Sequence, residues 1–64
     1  MTKLQIEVAY HLQALRSRVG NQIRPSIKSV RIAYDDIRRA KGLPPTRTQP
    51  SFKWCDEIIQ SIKP

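Results

Sequence analysis

Arg24, Lys28, Arg31, Arg38, Arg39 and Arg47 lie close enough along this chain to act together, and the chemistry open to them is the holding of phosphate groups. Arginine suits that task, because its planar fork meets a phosphate or carboxylate with two parallel hydrogen bonds. Ser26 and Ser29 stand beside Lys28, while Thr46, Thr48, Gln49 and Ser51 stand beside Arg47. Hydroxyls and amides of this kind fix a protein on a nucleic-acid backbone. Ser26 and Ser51 also fall where helix N-termini are expected, and the free N–H groups there can receive a phosphate.

Catalytic chemistry has less to work with. Acid–base or metal-assisted reactions need several groups converging at hydrogen-bond range in a pocket, and a 64-residue chain has little volume in which to build one. His11 is the single imidazole, placed on a helix flank. Asp35 and Asp36 are neighbours, so on a helix they point about 100° apart and form no paired-carboxylate site. Asp35 is expected to pair with Arg31 or Arg39, four residues to either side. Cys55 is the one cysteine, which excludes an intramolecular disulfide and a multi-cysteine metal site; beside Trp54 on an apolar face it reads as a core thiol. The expectation is a non-enzyme without cofactor or metal.

Hydrophobic spacing then places three helices, over 2–19, 26–41 and 51–62. In the first, Thr2 and Gln5 have capping-box spacing, and Leu4, Val8, Leu12, Leu15 and Val19 recur at steps of three or four. Gly20 and Asn21 stop it, and Ile23 is expected to plug the core from the short connection that follows. In the second, Ile27, Val30, Ala33, Tyr34 and Ile37 make the core stripe, with Ala40 at its edge and cations on the adjoining arc. Pro25 is expected in its first turn, Ser26 as its cap and Gly42 as its left-handed stop, with Leu43 folded back on it. Arg38, Arg39 and Lys41 also complement the dipole at its C-terminal end. Residues 43–50 hold three prolines and predict an extended, polyproline-like surface link. Ser51 caps the third helix, whose apolar face is Trp54, Cys55, Ile58, Ile59 and Ile62.

The sequence thus reads as one small all-α domain spanning 1–64, a three-helix arrangement with a proline-rich link between helices two and three. Three short helices with a basic second one resemble helix-turn-helix architecture, in which one helix enters the major groove and its N-terminal side chains reach base edges. Ser26, Lys28, Ser29 and Arg31 are the candidate readers. Both connections are longer than the usual three- or four-residue turn.

Twelve Lys and Arg against five acids give a formal charge of +7, more than solubility alone accounts for in sign asymmetry. Duplex DNA is therefore the expected partner, in a regulator or a recombination or replication accessory factor of phage or plasmid type. The rival is a phage-type inhibitor that sets the same cations against an acidic surface of a host protein. RNA or ribosome binding has less support, because Tyr10, Tyr34, Phe52 and Trp54 read mostly as packing residues. Ile32 and Tyr10 lie off the apolar stripes and suggest self-association, as a homodimer. No stretch has the length and apolarity of a signal peptide or a membrane span, and the chain reads as a complete cytoplasmic protein, nucleoid-associated or acting in an infected host cell.

Overall fold

Three hydroxyls start three helices. The Thr2, Ser26 and Ser51 side chains each accept a hydrogen bond from the backbone N–H three residues on, satisfying one of the donors that a helix start leaves unpaired. In the computed structural model, which describes residues 1–20, 24–44 and 48–62 and all their side chains except that of Val19, these caps open α1 (Lys3–Val19), α2 (Ile27–Ala40) and α3 (Phe52–Ser61). The protein is all-α among the described residues.

The Thr2 cap is a complete capping box: Gln5 N donates to Thr2 Oγ1 at 3.2 Å, and Thr2 N donates to Gln5 Oε1 at 2.7 Å. Gly20, at φ +71°, closes α1. Gly42, at φ +74°, closes α2 with the paired bonds of a Schellman motif, Gly42 N to Arg39 O at 3.0 Å and Leu43 N to Arg38 O at 2.9 Å. Two local expectations are corrected. Pro25 is buried ahead of the cap, where its lack of an N–H is harmless, and does not form part of the first turn. Leu43 keeps 46% of its surface exposed, so the cap holds by backbone bonds with little apolar cover.

Val8 and Leu12 of α1, Val30, Ala33 and Ile37 of α2, and Cys55, Ile58, Ile59 and Ile62 at α3 form one buried cluster, with Leu4, Ala9, Ile27, Tyr34 and Trp54 packed on its margin. Every helix touches both others. The expected faces of α2 and α3 are the buried ones apart from Ala40, which is exposed. In α1 Leu4, Val8 and Leu12 pack as expected, Leu15 is half-buried outside the cluster, and the Val19 side chain lies outside the described residues. The ion pair of Lys41 with Glu7 and the contact of His11 Nε2 with Asp36 Oδ2 at 3.5 Å show that α1 and α2 run in opposite senses. Gln5 is the one buried polar side chain among the described residues, 3% exposed, and its Nε2 donates to Glu57 Oε2 at 2.8 Å. That bond ties α1 to α3 and keeps a buried amide satisfied. The connections cover residues 20–26 and 41–51, longer than the tight turn of a helix-turn-helix. Ile23 lies outside the described residues.

Candidate nucleic-acid interface

At 100° per residue, Lys28, Ile32, Asp35 and Arg39 fall opposite the buried Val30, Ala33 and Ile37 of α2, and all four are exposed. This is the outward ridge. Arg31 and Arg38 fall on its flank, two turns apart, so about 10.5 Å along the axis. Ser26 and Ser29 lie at its N-terminal end, their hydroxyl oxygens 3.1 Å apart, with Ser29 N donating to Ser26 Oγ at 3.2 Å. Arg24, exposed, precedes them.

The flank arginines have a second occupation. Arg31 Nη2 donates to the Pro50 carbonyl at 3.3 Å, and its guanidinium carbon lies 5.4 Å from the Phe52 ring centroid. Arg38 repeats the pattern two turns on, with Nη2 to the Pro44 carbonyl at 3.1 Å and the guanidinium 5.7 Å from the Tyr34 centroid. Both separations fall in the range of cation–π attraction. Between the two, Tyr34 meets Trp54 edge to face, with centroids 5.5 Å apart. Pro44 and Pro50, described residues of the proline-rich link, are thus both held on α2, the first at Arg38 and the second at Arg31. The sequence predicted an extended connector but not its seat, because the prolines and polar residues of the link have no apolar periodicity to show which face of the fold their carbonyls meet.

Cys55 completes this seat. Its thiol lies 4.0 Å from the same Pro50 carbonyl, fully buried. Burial pushes the Cys55 pKa up from its ordinary 9.0, a rise that the neighbouring Arg31 charge and hydrogen bond partly oppose. The thiol is a core group, as its place beside Trp54 suggested.

Of the sequence-selected residues, the structure brings Arg24, Ser26, Lys28, Ser29, Arg31, Arg38 and Arg39 onto the start, ridge and flank of α2; Arg47 lies outside the described residues. The carboxylate pairing differs from expectation. Arg39 Nη1 meets Asp36 Oδ1 at 3.8 Å, and Asp36 Oδ2 also lies 3.5 Å from His11 Nε2. Asp36 takes the role given to Asp35 because it faces α1, where a second partner is waiting. Arg39 nevertheless keeps 80% of its side chain exposed. The aromatic residues also divide otherwise than expected: Tyr34 and Trp54 pack, but Tyr10 and Phe52 are 68% and 65% exposed.

A second surface lies away from the cations. Met1, Ile6, Ala9 and Tyr10 with Ile62 line a groove of about 360 Å³ between α1 and the end of α3. Among the described residues, no group of His, Cys, Asp and Glu is placed to hold a metal ion, and no helix is long and apolar enough to cross a membrane. No known protein family, curated protein or solved structure matches the chain.

Proposed function

We propose that this chain is a small basic DNA-binding protein, a transcriptional regulator or a recombination or replication accessory factor of phage or plasmid type, that holds the phosphate backbone of a duplex on α2. The observation that supports this is the concentration of Lys28 and Arg39 on the ridge, with Arg31 and Arg38 fixed on its flank and Asp35 as the one acid between them. Each flank guanidinium gives one Nη2 bond to the link; its Nε is buried, and the other Nη hydrogens are what it has to offer an anion. Arg24 and the Ser26 hydroxyl extend the surface at the helix start.

A salt titration of binding to a random duplex tests this. Five phosphate contacts, from Arg24, Lys28, Arg31, Arg38 and Arg39, give a log–log slope of about −4.5. Binding that ignores salt sinks the proposal. Two copies on adjacent half-sites would raise affinity, and the apolar groove beside Tyr10 is the surface on which they would meet.

Ile32 favours the alternative, a host protein with an acidic surface. It is 50% exposed in the middle of the cations, where a phosphate backbone has no use for it and a protein partner does. Ile32→Ala separates the two readings: duplex affinity stays the same if phosphates are the target, and falls with partner capture if a protein is.

A further inference from the structure

Phe52 is a large ring in a place that helix formation does not explain. It occupies the first position of α3, where the capping is already done by Ser51 and the Cys55 thiol one turn on faces the Pro50 carbonyl. Its ring contributes little to the core, being 65% exposed. One thing does hold it: the Arg31 guanidinium, itself anchored on the Pro50 carbonyl, lies over the ring at 5.4 Å from its centroid. Lys53 follows it, exposed, and Lys28 lies one turn before Arg31 on α2.

The result is an aromatic platform with one fixed cation, Arg31, against it and two exposed lysines, Lys28 and Lys53, close by in sequence. An aliphatic partner would gain from the ring but nothing from the cations, and a duplex backbone would gain from the cations but nothing from the ring. A nucleotide whose base is unpaired supplies both complements at once, a π-face for the ring and a phosphate for the cations. We infer that Phe52 stacks an unpaired base, so that this protein engages DNA where a duplex gives way to a single strand. The inference rests on the DNA-binding reading above and specifies which DNA that surface selects. Arg31 serves it twice, by steadying the ring and by offering its remaining Nη hydrogens to the adjoining phosphate.

The test compares a blunt duplex with the same duplex carrying a short single-stranded thymidine tail, and with a tail of equal length made of abasic sites. Wild-type protein is expected to bind the thymidine tail on the order of tenfold more tightly than the blunt end, the worth of one stacked base. The abasic tail, which keeps the phosphates, should lose most of that advantage. Phe52→Leu should abolish the preference, changing affinity for the blunt duplex by much less than the tenfold lost on the tail and leaving the far-ultraviolet circular dichroism unchanged. A 2-aminopurine placed in the tail gives a readout that needs no variant, since stacking on the ring quenches it. Equal affinity for all three DNAs, or a tail preference that survives Phe52→Leu, overturns the platform but leaves the duplex reading standing. Failure to bind any of them overturns both.

Discussion

Two pairs of cations on α2 carry the same charge and do different work. Lys28 and Arg39 stand out on the ridge, while Arg31 and Arg38 lean across the flank to hold the link carbonyls and the Phe52 and Tyr34 rings. Lys28 meets a partner at the cost of side-chain entropy alone, and Arg39, 80% exposed, must also share or leave the Asp36 carboxylate 3.8 Å away. The flank pair has lost that entropy in folding, so its guanidiniums are preset for a ligand but cannot be removed without loosening the fold. Counting charges treats the four as equal, and their contacts show that they are not.

Arg31→Ala should break this comparison most visibly. It removes the Pro50 hydrogen bond and the stack on Phe52, for a loss of about 1–2 kcal/mol, or roughly 4–16 °C in Tm for a domain of this size. Thermal melts at high and low salt check it; an unchanged Tm would show that the link does not depend on the arginine. Arg31→Lys should recover the charge and little of the stability, since an ammonium has no planar fork to stack. Lys28→Ala should leave stability within about 0.5 kcal/mol of wild type, yet lower duplex affinity several-fold and reduce the salt slope by about 1. If the two variants instead lose stability and affinity in the same proportion, ridge and flank are not distinct.

The smallest effect lies beneath the flank. Because burial raises the Cys55 pKa, the folded state holds the thiol proton more firmly than the unfolded chain does. The stability linked to that group is fully present below about 9.0, its ordinary value, and is lost as pH climbs through the raised one. The stability difference between wild type and Cys55→Ala, measured by urea unfolding, should therefore shrink between pH 8 and pH 10. A gap that stays constant would mean that the thiol does not titrate differently in the two states. At neutral pH a thiol reagent should react with Cys55 only as fast as the chain opens.

The helices were legible in the sequence because their signals are local. Thr2 with Gln5, Ser26, Ser51 and Gly42 each act within a few residues, and the stripe at Val30, Ala33 and Ile37 needs only the helix period. Pairings across the fold were not legible. That Gln5 would reach Glu57, that Asp36 rather than Asp35 would take Arg39, and that Arg31 would bind Pro50 all depend on which faces meet after packing. The site residues on α2 were chosen for charge and spacing, and sequence spacing does place Lys28, Arg31, Arg38 and Arg39 on one helix surface, with Ser29 turned to the other side. What it does not reveal is that two of them are engaged with the link, nor that Phe52 stays in solvent: a phenylalanine just inside a helix start looks like a core residue until the core is seen to be complete without it.

The bond from Gln5 to Glu57 joins residues at opposite ends of the chain, and the cluster around Val8 and Leu12 is covered only when α3 is in place. During translation α1 and α2 therefore emerge with an unfinished apolar wall. Residues 41 to 61 follow at about 5–20 per second, leaving that wall open for roughly 1–4 s. A chain truncated after Gly42 should therefore be cut by a protease that the chain with α3 in place resists, and adding a separate segment carrying α3 should restore part of that resistance.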